Sequence, residues 1–333
     1  MKIIVSGGGT MGHIKPAMIV SDELLKNNEV IFFGNKNSKE KKEADKREKL
    51  DYVEIDVLGF NHNIFRNIKA IIKLFFAYKY CLKKLKHIKP DRVIGFGGYV
   101  SAPVLLAAKK LKIKSYIHEQ NSIPGKVNKY LSKYVSNSFI SFPNTDNYLK
   151  NTIFTGNPVN KIIYKPTNLI KKGTKTILFI GGSLGAKTIN EEALKLKNKY
   201  NIILISGEKY YEEIDKKGFK VIKYFEDLPS LMVESDLIVS RSGATTISEI
   251  LAIGKPVIFI PSPNVSNNHQ LYNASFLYDN KACFMVEEKN ITILEEKIDI
   301  LLNNNFIREE MILNQRKLNK VDSLKKIIQI INS

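Results

Sequence analysis

A short β-rich run, a glycine-rich turn and a helix-like segment follow one another four times along the chain. They read KIIV-SGGGTMGH, RVIGF-GGYVSAP, KTILFI-GGSLGA and DLIVS-RSGATTISEI. Strands alternating with helices in this way build right-handed βαβ units and a parallel sheet covered on both faces. Further strands are expected at EVIFFG (29–34), KSYIHE (114–119), NIILIS (201–206) and KPVIFIP (255–261). Helices are expected to start near Pro16 and Pro103 and one to stop at Gly254. A chain of 333 residues has room for two domains of ordinary size. The seam is expected in 155–173, where Gly, Pro and Lys cluster. In doubly wound sheets ligands sit beyond the carboxyl ends of the strands, so the four glycine turns are expected to line one cleft between two facing domains.

Composition bounds the partners. Cys81 and Cys283 stand far apart with no metal-ligand spacing, and no signal-peptide pattern precedes the first strand, so a reducing cytoplasm is expected. The chain lacks an apolar run of about 18 residues, which points to a soluble or peripheral protein. The net charge is +19. Residues 1–160 hold 27 Lys and Arg against 13 Asp and Glu, so the basic excess lies mainly in the first half. Nucleic acid, anionic lipid or a phosphorylated substrate would each suit such a face. The charged run 36–49, KNSKEKKEADKREK, reads as a solvated helix or loop.

The first glycine turn satisfies G-x-G-x-x-G at Gly7, Gly9 and Gly12. A dinucleotide fold also requires an acid at the end of the second strand to bind the ribose hydroxyls. That strand ends at Asn35, which weakens the nicotinamide or flavin reading. The later turns suit a sugar nucleotide. Ser242, Gly243 and Ala244 lead into a helix whose first amides can face a diphosphate. Glu249, further along it, can accept two hydroxyls of a ribose or sugar, or can be a surface carboxylate. His269, Gln270 and Asn273 offer amide and imidazole groups to hydroxyls. His118, Glu119, Gln120 and Asn121 form a polar cluster after an apolar strand, costly to bury without partners, and read as a site. The five histidines show no zinc spacing, and no D-x-D pair is present for a divalent ion.

Seven motifs together resemble the MurG family of peptidoglycan N-acetylglucosaminyltransferases: GGTMGHIKPA, GGYVSAP, IHEQNSIPGKVNK, TGNPV, GGSLGAKTIN, RSGATTISE and HQLYNA. They stand in family order from residue 8 to residue 274. The resemblance implies an α/β protein of GT-B fold, two Rossmann-like domains spanning 1–158 (acceptor and membrane side) and 159–333 (donor side). The last helix, about 322–332, would return to the first domain. It implies metal-independent, inverting transfer of GlcNAc from UDP-GlcNAc to the C4 hydroxyl of the muramoyl sugar of lipid I, giving lipid II. No cofactor is implied. The partners are UDP-GlcNAc, lipid I and an anionic membrane surface rather than nucleic acid, and the place is the cytoplasmic face of the cell membrane.

Carried over by motif, His13 becomes the general base, with Glu119 as the alternative base or the group that orients one. The donor set is Thr10, Met11, Gly12, Asn121, Ser183, Phe225, Ala244, Thr245, Thr246, Glu249 and Gln270. The acceptor set is Gly9, Tyr99, Asn121 and Asn128. Two positions depart from the family pattern. Met11 stands where Gly is usual, making the loop bulkier, and Asn160 stands where Arg is usual, with Lys161 beside it as a replacement charge.

Residues 61–90 contain eight Lys and Arg and no acid. Ile64, Ile68, Ile71, Ile72, Phe75, Leu82 and Leu85 follow helical spacing and are expected to face a core. Leu74, Phe76, Tyr80 and Cys81 widen that stripe, so a buried helix and a membrane-surface helix both fit. The lipid-linked acceptor favours membrane contact through Phe75, Phe76, Tyr80, Lys73 and Lys79. Other readings are a GT-B transferase with a different acceptor, a sugar-nucleotide epimerase, a non-catalytic module for phosphate or anionic membrane, and an NAD-dependent oxidoreductase.

Overall fold

The computed structural model describes residues 1–333 except 61, 62, 161–163, 168, 171, 172, 183 and 321. The chain divides into two compact units, Met1–Asn160 with Asp322–Ser333, and Lys161–Val321.

The first unit runs β1 (Lys2–Ser6), α1 (Met11–Leu24), β2 (Glu29–Asn35), α2 (Lys39–Ala44), β3 (Asp51–Ile55), α3 (Ile64–Ile88), β4 (Arg92–Gly95), α4 (Gly98–Lys110), β5 (Lys114–Glu119), α5 (Lys126–Leu131), β6 (Asn137–Ile140) and β7 (Thr152–Phe154). Its strands are parallel in the order β3-β2-β1-β4-β5-β6-β7. Strand β1 shows why the sheet is covered twice. Ile3 and Val5 pack into one core and Ile4 into the other, the period-two alternation of a strand buried on both faces.

The second unit runs β8 (Thr176–Ile180), α6 (Lys187–Leu196), β9 (Asn201–Ile205), β10 (Lys220–Ile222), α7 (Leu228–Glu234), β11 (Leu237–Ser240), α8 (Ala244–Ile253), β12 (Val257–Phe259), α9 (His269–Asp279), β13 (Phe284–Met285), α10 (Leu294–Asn303) and α11 (Asn305–Leu318). Its parallel sheet has the order β10-β9-β8-β11-β12-β13. Both sheets reverse direction of growth between two strands that carry glycine turns, β1 and β4 in the first, β8 and β11 in the second. Such a switch point opens a crevice at the carboxyl ends of the strands. The final helix, α12 (Ser323–Asn332), places Ile327 and Ile331 in the core of the first unit.

Several expectations change. Helices α1 and α4 begin at Met11 and Gly98, five residues before Pro16 and Pro103. The glycine turns themselves form the first helical turn: the Thr10 carbonyl already accepts from His13 N at 3.0 Å and Ile14 N at 3.1 Å. Gly254 does end α8, in the left-handed region at φ 73°. Strand β12 is shorter than its apolar run. In the charged run, Glu40 is buried at 2% exposure rather than solvated.

Helix α3 keeps only the end of the expected stripe, with Leu85 buried and Leu82 packed against the core. Its core face is the narrow row Ala70, Ala77, Cys81 and Leu85. Ile64, Ile68, Ile71, Ile72, Phe75 and Phe76 are exposed instead, Phe76 at 63%. Small residues let α3 lie close to α4, with Tyr78, Leu82 and Ile88 packed beside that row, while the exposed large apolar groups point away from it. No helix among the described residues is long and apolar enough to cross a membrane.

Candidate active site

The first unit gathers its polar groups at the ends of β1, β4 and β5. Gly9, with φ +86°, turns the chain out of β1, a left-handed conformation that favours glycine. Tyr99, in the first turn of α4, approaches it: a Cβ on Gly9 would lie 3.3 Å from the Tyr99 ring. Thr10 precedes α1, and Met11, Gly12 and His13 form its first turn. The Met11 side chain packs against the core that holds Ile14 and Ile327, so its bulk goes into packing.

His13 is held by its Nδ1, which lies 3.2 Å from the Gly8 carbonyl and 3.2 Å from Thr10 Oγ1. A carbonyl only accepts, so the Gly8 bond requires the proton on Nδ1 and leaves the lone pair on Nε2. The ring packs on the turn after β4. A Cβ on Gly97 would lie 3.3 Å from His13 Nε2 and 3.2 Å from Asn128 Nδ2. A Cβ on Gly98 would lie 2.4 Å from the Gly8 carbonyl oxygen. Gly97 and Gly98, at φ +92° and +74°, thus seat both the histidine and its partner. Sequence reasoning assigned these two no role beyond the motif; their place at a switch-point strand end was the available signal.

The polar cluster after β5 divides into structural and loop-shaping groups. His118 and Gln120 are buried at 0% and 1% exposure. His118 Nε2 pairs with the Gly156 carbonyl at 3.2 Å, and Gln120 Nε2 lies 3.1 Å from His118 Nδ1 and donates to the Phe96 carbonyl at 3.0 Å. Burial lowers the pKa of His118 to about 4, so the ring stays neutral. These two residues are internal structure rather than site. Glu119 Oε1 accepts from the Asn121 backbone at 3.0 Å and side chain at 3.3 Å. Its Oε2 accepts from Gly125 N at 3.1 Å and Asn128 Nδ2 at 2.9 Å. Burial pushes its carboxyl above the usual range, and these donors pull in the opposite direction. A carboxylate so engaged shapes the 121–128 loop. Asn128 Oδ1 is buried and has no hydrogen-bond partner among the described residues.

The second unit gathers a separate set. Ala244, Thr245 and Thr246 form the first turn of α8, and Glu249 is buried one and a half turns on, at 6% exposure. The turn before α8 is stapled to α9: Ser242 Oγ donates to the Gln270 carbonyl at 2.7 Å, and Asn273 Nδ2 to the Ser242 carbonyl at 3.2 Å. Gln270 Oε1 accepts from Ser262 N at 2.9 Å, which orients the amide. Arg241 donates to the Ile260 carbonyl at 3.0 Å and pairs with Glu288, fixing the turn from its other side. Phe225 is half-buried between β10 and α7. Ser183 and Lys161 lie outside the described residues; Asn160 is exposed.

Family models match both units: the glycosyltransferase family 28 N-terminal domain over residues 3–140 and the family 28 C-terminal domain over residues 176–328. The chain is 35% identical, over 99% of its length and 98% of the relative's, to a protein of Bacillus licheniformis. That relative is named UDP-N-acetylglucosamine–N-acetylmuramyl-(pentapeptide) pyrophosphoryl-undecaprenol N-acetylglucosamine transferase. A relative of the same name from Bacillus pumilus is 38% identical over 98% of the chain and 94% of its own length. The chain belongs to the MurG family. The crystal structure of Acinetobacter baumannii MurG matches it with a TM-score of 0.80 at 26% identity, covering 99% of each chain. Membership makes the protein a glycosyltransferase and sets aside the oxidoreductase, epimerase and non-catalytic readings.

Proposed function

We propose that the protein transfers GlcNAc from UDP-GlcNAc to the C4 hydroxyl of the muramoyl sugar of lipid I, giving lipid II with inversion at the anomeric carbon. The relatives' shared name supports the substrate pair, and the seating of His13 carries the mechanism. With Nδ1 protonated against the Gly8 carbonyl, Nε2 takes the C4 hydroxyl proton as that oxygen bonds to the anomeric carbon. The bond from that carbon to the UDP oxygen breaks, and its electron pair leaves with the diphosphate. The first amides of α8, at Ala244, Thr245 and Thr246, face the growing negative charge in the role a metal ion plays elsewhere.

In this reading Glu249 binds the ribose hydroxyls and Gln270 presents its NH2 to the sugar hydroxyls, its Oε1 being engaged by Ser262 N. Ser183 and Phe225 complete the donor set, with Thr10 at the N-terminus of α1 and Met11 and Gly12 offering its first amides. Gly9, Tyr99, Asn121 and Asn128 receive the acceptor, Asn128 through its Oδ1, which has no partner among the described residues. Glu119 positions that loop, which leaves His13 as the base.

The enzyme works at the cytoplasmic membrane face, and α3 is its contact. Phe75, Phe76 and Tyr80 are exposed, Lys79 Nζ lies 4.6 Å from the Phe75 ring centre, and the flanking lysines suit anionic headgroups. Lys73 contributes less, because its ammonium is tied to Asp56 at 2.6 Å. The test is incorporation of labelled GlcNAc from UDP-GlcNAc into a lipid I analogue without added metal. Folded protein that incorporates none would refute the assignment.

A further inference from the structure

The charged run hides a carboxylate built into the base of the first glycine turn. Glu40 is 2% exposed, and its Oε1 accepts from Asn35 N at 3.3 Å. Two glycines clear the space it fills. A Cβ on Gly8 would lie 2.3 Å from Glu40 Oε1 and 2.7 Å from its Cδ, and one on Gly34 would lie 2.9 Å from its Cγ. Neither glycine has a positive φ, so backbone conformation does not demand glycine at either position. The demand is room for this side chain, at Gly8 also for the Val100 side chain, whose Cγ2 would lie 2.9 Å from such a Cβ, and at Gly34 also for the Tyr52 hydroxyl.

The residues beside Glu40 are hydrogen-bonded to one another and to the backbone. Tyr52 Oη donates to the Asn35 carbonyl at 2.8 Å, while Asn35 Nδ2 donates to the Val57 carbonyl at 3.0 Å and Asn35 Oδ1 accepts from Val57 N at 3.1 Å. Ser38 Oγ caps α2 by accepting from Lys41 N at 3.2 Å. Burying a carboxyl is costly, and chains tolerate it where the group does something a smaller apolar residue would not.

Gly8 is the residue whose carbonyl fixes the tautomer of His13. We propose that Glu40 is a positioning residue for His13, bracing Gly8 from behind so that its carbonyl stays on Nδ1 and the lone pair stays on Nε2. The arrangement resembles a triad whose third member acts through a backbone carbonyl instead of touching the imidazole. The inference rests on the proposed base role of His13.

The test reads the tautomer directly, by 15N NMR of the histidine rings in the full-length protein, with His13→Ala identifying the signal. Wild type is expected to show His13 protonated at Nδ1 in its neutral form. Glu40→Ala is expected to lose that preference and to lower kcat by about 10-fold to 10²-fold, with the UDP-GlcNAc KM within about twofold. Glu40→Gln keeps the shape and Oε1, and is expected to restore both. Glu40→Asp draws the carboxyl back by one methylene and is expected to behave like Glu40→Ala, so it serves if the alanine variant does not fold. An unchanged tautomer and kcat in Glu40→Ala or Glu40→Asp would overturn the proposal. If wild type transfers no GlcNAc, the functional reading fails, while the NMR comparison still decides the bracing role.

Discussion

Asn128 donates its side-chain amide to Glu119 Oε2 at 2.9 Å, and the same carboxylate receives Gly125 N at 3.1 Å. Replacing Glu119 with Gln turns one of these acceptors into a donor facing a donor. Buried charged hydrogen bonds lost this way cost about 2–4 kcal/mol, so Glu119→Gln is expected to lower urea stability by that amount. Transfer should fall less than in His13→Ala. Unaltered stability with abolished transfer would make Glu119 the base.

His118 sets a pH dependence of stability. Its pKa falls to about 4 in the folded protein from an ordinary value of 6.5. Between those values the unfolded chain binds the extra proton, so stability falls as pH drops from about 6.5 to about 4, by about 3 kcal/mol. Glu119, pushed upward by burial, acts with the opposite sign and is common to both proteins in the comparison. Urea midpoints of wild type should therefore drop more steeply with acid than those of His118→Gln. Parallel curves would contradict the assignment.

The architecture was legible because period and punctuation agree. The four glycine turns mark the strand ends at both switch points, and Gly254 stops α8 where it was expected. What was not legible depends on which face a residue shows. In α3 the large apolar residues look like one core stripe, yet only its end, Leu82 and Leu85, meets the core, and the rest of the buried row is the small residues Ala70, Ala77 and Cys81. Glu40 carries no local signal among its charged neighbours, and its meaning comes from Gly34 across a turn and from Gly8, which is distant in sequence. His118 and Gln120 look like chemistry and are structure, since they pair with each other and with backbone groups that no residue type reveals.

Glu249 is buried in the middle of α8, and the proposed function gives it the ribose hydroxyls of the donor. Loss of charge-assisted hydrogen bonds worth about 1.5–3 kcal/mol should raise the UDP-GlcNAc KM of Glu249→Ala by about 10-fold or more, with a smaller change in kcat. Steady-state kinetics with varied donor check this. An unchanged KM would remove Glu249 from the donor site.

The outward face of α3 should govern membrane binding. Phe76→Ser and Tyr80→Ser are expected to weaken sedimentation with phosphatidylglycerol vesicles while changing stability by no more than about 0.5 kcal/mol, since both side chains are exposed. Higher salt should weaken binding of wild type as well. Equal partitioning of wild type and variants would exclude this face.

The most direct measurement is the pH dependence of kcat for GlcNAc transfer to a lipid I analogue, in wild type and in His13→Ala. Wild type should lose activity on the acid side as one group takes up a proton. The variant should lose that limb along with about 10²-fold or more of its rate at neutral pH. A variant that keeps the limb and falls only severalfold would place the base elsewhere.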